Sequence, residues 1–160
     1  MTELRVGIGF DAHVFEKGVP LVLGGVAIDY PRGLAGHSDG DVVSHALIDA
    51  LLGAANLGDI GSLFPSDDDQ YRGASSLDLL WEAYREVRDA GFELVNADCV
   101  LVGEEPRIVA AREEMSERLA GALGVEGGRV AVRATTTDGL GFTGRGEGLA
   151  AHAVALLRRA

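Results

Sequence analysis

Lysine is almost absent. Lys17 is the only one in 160 residues, and 14 basic residues face 25 acidic ones, for a net charge of −11. A broad basic face for nucleic acid is thereby excluded. So is a Walker-type phosphate loop, whose glycine run has to end in a lysine. Any phosphate must be held by local devices: metal ions, backbone N–H groups or single arginines. Cys99 is the only cysteine, so no intramolecular disulfide can form, which fits a reducing cytoplasm. No apolar run approaches the roughly 20 residues that span a bilayer. The opening MTELRVGIGFD has no apolar stretch behind a basic start, so no secretory signal is expected.

Apolar residues make up 47% of the sequence, enough for a core, and the length suits one domain over residues 1–160. The mean hydropathy of +0.14 is high and points to apolar surface buried between subunits.

LRVGIGF reads as a strand, and PLVLGGVAIDY as two short strands around Gly24–Gly25. SDGDVVSHALIDALLGAANLG predicts a helix capped by Ser38 or Asp39, with Val42, Ala46, Leu47, Ala50, Leu51 and Ala54 on its apolar face. SSLDLLWEAYREVRDAG predicts a second helix, started by Ser75 or Ser76 and stopped by Gly91. FELVNADCVLVG and RVAVRAT read as strands. Between them Pro106 is expected to open a helix running to about Leu123. EGLAAHAVALLRR reads as a closing helix, and GDIGSLFPSDDDQYRGAS as a mobile loop. The order β-ββ-α-α-β-α-β-α implies an α+β fold, one mixed sheet with helices packed on it in the split-βαβ style.

Four histidines are available: His13, His37, His45 and His152. Asp11 and His13 are two apart on a strand and point the same way. His45 shares a helical stripe with Asp41 and Asp49 at i, i+4 spacing. One strand and one helix could thus supply Asp, His and His, the three-ligand pattern of a catalytic zinc with an open position. Alternatively, His45 is a half-buried histidine bonded to Asp41 or Asp49. GHSDGD suits a turn and helix cap, and its His37 and Ser38 also suit a phosphate. SDDD at 66–69 resembles half a calcium loop but reads better as a solvated acidic loop. Gly139, Gly141 and Gly144 match G-x-G-x-x-G, but the second strand with an acidic residue that a dinucleotide site needs does not follow. Trp81, with Leu77, Leu80 and Tyr84 at helical spacing, reads as core. His152 reads as structural.

In order and spacing, GFDAH, HSDGDVVSHALIDALLGAANLGDIGSLFP, EEPRI and TTTDGLGFTGRGEG resemble the 2-C-methyl-D-erythritol 2,4-cyclodiphosphate synthase family of the non-mevalonate isoprenoid pathway, over essentially the whole chain. The resemblance implies a homotrimer with active sites between neighbouring subunits. It implies one Zn²⁺ per site, held by Asp11, His13 and His45, and a Mg²⁺ or Mn²⁺ with the substrate diphosphate, at the position of Asp138. His37 and Ser38 match a loop that contacts the substrate's phosphate and sugar-alcohol part. Thr135, Thr136 and Thr137 match a phosphate-binding turn, with Thr136 beside the reacting phosphates, and His37 and Thr136 are implied to have catalytic parts. Phe142 and Arg145 match further substrate-side positions. Asp59, Ile60 and Gly61, then Phe64, Pro65, Ser66, Asp67 and Asp68, match the surroundings of the methylerythritol. Gly103, Glu104, Glu105, Pro106, Arg107, Ile108 and Val109 match the segment that holds the cytosine. The implied reaction acts on a small cytidine diphosphate-linked substrate, with no nucleic acid or membrane partner. Two residues depart from the pattern: Asp138 stands where glutamate is more usual, and Glu104 where an uncharged amide is expected. The rivals are a zinc phosphodiester hydrolase and a binding module whose structural zinc is closed by His152 or an acid.

Overall fold

In the computed structural model, which describes residues 2–160, the chain opens with a long strand, β1 (Leu4–Lys17). Alternation sorts its side chains. Gly7, Gly9, Asp11 and His13 face one way, while Leu4, Val6, Ile8 and Phe10 face the other. β2 (Leu21–Leu23) and β3 (Val26–Ile28) pair around Gly24–Gly25, as expected. A short β4 (Arg32–Leu34), not legible in the sequence, pairs with the end of β1. There follow α1 (Val42–Ala54), a single turn α2 (Ile60–Leu63), α3 (Ser76–Asp89), β5 (Phe92–Val102), α4 (Arg112–Leu123), β6 (Val130–Thr135), a single turn α5 (Gly141–Gly144) and β7 (Gly148–Arg159).

The main sheet has the order β4-β1-β7-β5-β6. β7 is antiparallel to both β1 and β5, and β6 is parallel to β5, so the sheet is mixed and the fold α+β. Helix α1 lies on β1 and β7, α3 on α1 and β5, and α4 on β6. The approach of α1 to β1 is unusually close: a Cβ at Gly7 or Gly9 would overlap the carbonyl oxygens of Ala50 and Ala46. The opposite sheet face is bare, with Val6 and Ile8 each 71% exposed and Leu4, Phe10, Val14 and Val154 open beside them. No helix among the described residues is long and apolar enough to cross a membrane.

Several expectations are corrected. The closing segment is strand β7, not a helix. It sits between β1 and β5, bonded on both sides, and this context overrides the helix propensity of its alanines. Pro106 does not open α4. A tight turn at Val109–Ala111 intervenes, and the helix starts at Arg112 with Glu113 and Glu114 in its first turn, where the helix dipole favours them. The cap of α1 is Asp41, not Ser38 or Asp39, because its carboxylate accepts the Ser44 N–H. Gly91 does stop α3, at φ 95°. Trp81 is not core. It lies on the outer face of α3, 51% exposed under the Arg85 guanidinium, while Leu80 and Tyr84 are buried. The segment after Asp59 is not structureless: Asp59 caps α2 and Asp68 caps a turn at Asp69–Tyr71.

Candidate metal centre and cleft

The close seating of α1 on the glycines of β1 places His45 directly over Asp11 and His13. His13 Nε2–H donates to Asp11 Oδ2 at 2.6 Å, and His45 Nδ1 lies 3.1 Å from the same oxygen. His13 Nε2 and His45 Nδ1 are 3.2 Å apart. These are the only three His, Cys, Asp or Glu residues among the described ones whose ligand atoms converge, all within 4.8 Å. One carboxylate and two imidazoles make a donor set that fits a borderline divalent ion such as zinc, with room for a non-protein ligand. Burial pushes the Asp11 carboxyl up. The hydrogen bond from His13, with the neighbouring His45 imidazole, outweighs it and holds Asp11 at about 2. The same bond to Asp11 raises His13 above its usual range, against the opposing effect of burial.

The stripe Asp41–His45–Asp49 divides its labour. Asp41 is fully buried and accepts from the N–H groups of Gly24 and Gly25 and from the Ser44 hydroxyl. Asp49 accepts from Ile60 N–H at 2.7 Å, and burial raises its carboxyl pKa. Only His45 turns to Asp11 and His13. Behind it, Nε2 meets the hydroxyls of Ser76 at 2.9 Å and Ser38 at 3.0 Å. The Ser76 hydroxyl in turn donates to Asp39.

The triad opens into a cleft of about 600 Å³. Of the residues singled out in the sequence, His37, Ser38, Ile60, Gly61, Phe64, Pro65, Ser66 and Asp67 line it with the triad. Tyr71 and Leu79 line it too, and nothing in the sequence marked them. Asp59 and Asp68 are turned to capping bonds instead. His37 Nε2–H donates to the Asp68 carbonyl at 3.0 Å, and Gly73 N–H to the His37 carbonyl at 2.8 Å, so the 66–74 segment is tied to the histidine loop. No calcium-type cluster forms there: Asp69 pairs with Arg72.

The remaining candidates gather elsewhere. Thr135, Thr136, Thr137 and Asp138 follow β6, and Gly103, Glu104, Glu105, Pro106, Arg107, Ile108 and Val109 follow β5. The two segments are joined by Gly103 N–H to the Thr135 carbonyl, and by the Glu104 carboxylate, which accepts from Thr137 and Gly139 N–H. Along the sheet, Ala12, Ala150, Val102 and Thr135 form one row. The turn therefore shares the sheet end of the triad but stands three strand spacings away, about 14 Å. Thr136 hydroxyl donates to Asp138 at 3.2 Å. Phe142 borders a separate hollow with Ala12, His13 and Val14, and Arg145 is paired with Glu147. His152 faces the bare side of the sheet against Phe10, away from the triad, and supplies no fourth ligand.

Comparisons with known proteins agree over nearly the whole chain. The YgbB family model matches residues 4–158. The 2-C-methyl-D-erythritol 2,4-cyclodiphosphate synthase of Moorella thermoacetica is 57% identical over 154 residues, covering 96% of this chain and 94% of the relative. The enzyme of the same name from Rubrobacter xylanophilus is 58% identical over 159 residues, covering 98% and 96%. A solved 2C-methyl-D-erythritol-2,4-cyclodiphosphate synthase in a CDP-bound form superposes with a TM-score of 0.87 at 40% identity, covering 96% of this chain and 99% of that one.

Proposed function

The chain belongs to the YgbB family of cyclodiphosphate synthases, and on that premise we propose that it converts 4-diphosphocytidyl-2-C-methyl-D-erythritol 2-phosphate to 2-C-methyl-D-erythritol 2,4-cyclodiphosphate and CMP. An oxygen of the 2-phosphate attacks the β-phosphorus. The bond from that phosphorus to the oxygen bridging it to the α-phosphate breaks, and CMP leaves with that oxygen. The observation that carries this reading is the convergence of Asp11, His13 and His45 in the wall of a cleft.

Phosphoryl transfer of this kind asks for alignment and charge neutralisation more than for a protein nucleophile. Asp11, His13 and His45 would hold Zn²⁺, and Asp138 would hold Mg²⁺ or Mn²⁺. Bound there, the ions would neutralise phosphate charge and stabilise the leaving group. His37 has its Nε2–H committed to the Asp68 carbonyl, which leaves its other nitrogen for the ligand. Ser38 offers a hydroxyl from the cleft wall, and Thr136 one beside Asp138. Ile60, Gly61, Phe64, Pro65, Ser66 and Asp67 would surround the methylerythritol, with Asp59 and Asp68 holding that wall in place. The 103–109 segment would hold cytosine, and the CDP-bound form of a relative supports a cytidine-containing ligand. Phe142 and Arg145 would stand at further substrate-side positions.

We also propose a homotrimer. Both metals have to reach one diphosphate, and a separation of about 14 Å within one chain is too long for that. The 135–138 turn of a neighbouring subunit would close the gap. Covering the bare face around Val6 and Ile8 would drive the association.

The test is incubation of the protein with the diphosphocytidyl substrate, Zn²⁺ and Mg²⁺, followed by phosphorus NMR. CMP and a cyclic diphosphate are expected. An open-chain hydrolysed phosphate would make the protein a hydrolase instead.

A further inference from the structure

We propose that Asp39 and Ser76 are positioning residues that fix the tautomer and ring orientation of His45, so that Nδ1 is presented to the metal. The inference rests on the metal reading of Asp11, His13 and His45 and extends it to residues outside the ligand set.

Ser76 is wholly buried, the first residue of α3, and its hydroxyl donates to Asp39 Oδ1. A hydroxyl has one proton to give. With that proton committed to a carboxylate, the Ser76 oxygen meets His45 Nε2 only as an acceptor, at 2.9 Å. Nε2 must therefore carry the ring proton. A neutral His45 then has its lone pair on Nδ1, the atom that faces Asp11 Oδ2 at 3.1 Å and His13 Nε2 at 3.2 Å. This is the arrangement by which outer carboxylates orient histidine ligands, here with one hydroxyl interposed.

Asp39 is itself held. Oδ2 accepts the Ser76 N–H at 2.9 Å and Oδ1 the Asp41 N–H at 3.1 Å. It thus links the starts of α1 and α3, the two helices that carry His45 and Ser76. Ser38 also touches Nε2, at 3.0 Å, but it lines the open cleft and has no carboxylate partner. Ser38 Oγ also lies 3.4 Å from Ser76 Oγ, which can only accept from it, but Ser38 faces the cleft and can turn to a ligand, whereas the Ser76 hydroxyl cannot.

Chelator-competition titration with zinc tests this on the parent and on Ser76→Ala, Ser76→Thr, Asp39→Asn and His45→Ala. The visible spectrum of each cobalt-loaded protein is recorded beside it. Ser76→Ala is expected to weaken zinc binding by about 10- to 100-fold, the usual cost of losing such an orienting partner, and to shift the cobalt bands. Ser76→Thr keeps the hydroxyl and restores both. Asp39→Asn falls between, since its one amide oxygen still accepts from the Ser76 hydroxyl, without charge, while its NH2 group gives up the bond from Ser76 N–H, and it carries the test alone where Ser76→Ala does not fold. Parent-like affinity in Ser76→Ala and Asp39→Asn, with His45→Ala much weakened, overturns the relay and leaves the metal site standing. Parent-like affinity in His45→Ala overturns the metal site and the relay together.

Discussion

His13 Nε2 and His45 Nδ1 stand 3.2 Å apart, each within hydrogen-bonding distance of Asp11 Oδ2. Two ring nitrogens with facing lone pairs repel, so this spacing calls for a proton or a cation between them. The choice between the two is set by pH. His13 has a raised pKa because it gains Asp11 as a partner, and Asp11 is held at about 2. Without metal, the His13 contribution to stability is complete below its unfolded value of about 6.5. It is lost as pH rises through the higher folded value. The Asp11 contribution is complete above its unfolded value of about 3.9 and is lost as pH falls toward its folded one. Metal-free protein is expected to gain most from the pair between these limits. Zinc has to displace the His13 proton, so its affinity should climb with pH through the folded His13 value and then level. A chelator titration across neutral pH checks this, and a flat profile would show that no ligand proton is displaced.

Asp41 ties the β2–β3 turn to the start of α1, with its carboxylate bonded to Gly24 N–H at 2.9 Å, Gly25 N–H at 2.8 Å and the Ser44 hydroxyl at 2.7 Å. Asp41→Ala leaves those donors unpaired in a buried place and removes the cap. A loss of about 1–3 kcal/mol is expected, read as a lower urea midpoint with unchanged slope. An unchanged midpoint would mean that water replaces the carboxylate at no cost.

Asp138 sits at φ 53°, in the left-handed region that aspartate tolerates better than most residues. That gives a local reason for aspartate where glutamate is more usual. Asp138→Asn is expected to lower the Mg²⁺ dependence of the rate and to leave bound zinc untouched. Asp138→Glu should keep much of the activity at the cost of some backbone strain. A Mg²⁺ titration of initial rates, with zinc assayed separately, distinguishes these. Parent-like Mg²⁺ dependence in Asp138→Asn would reduce Asp138 to a turn residue.

The proposed trimer predicts complementation. Subunits carrying His45→Ala, refolded together with subunits carrying Asp138→Asn, should show activity above that of either variant alone, because some sites then pair two intact halves. Light scattering should give three chains per particle. A fully active monomer would refute the shared site.

Much of the sheet and the Asp11/His13 half of the triad was legible because both rest on short-range alternation, while His45 was assigned through the family resemblance. Asp11 and His13 are two apart on a strand, and His45 lies on a strongly apolar helix. What the sequence hid is set by distant contacts. The alanines of β7 favour a helix locally and become a central strand only because β1 and β5 flank them. Asp41 looked like part of a polar stripe, yet its partners lie in the β2–β3 turn. Ser76 looked like a helix cap, and only the packing of α3 beside α1 brings its hydroxyl to His45. Trp81 shares helical spacing with core residues but falls one step around the helix from Leu80, on the solvent side.

The metal reading is tested most directly by His45→Ala, with zinc content per chain and initial rate measured on the same sample beside the parent. The account predicts that the variant keeps the folded state, loses its tightly bound zinc and loses turnover together. Full zinc content with a normal rate in His45→Ala would contradict it.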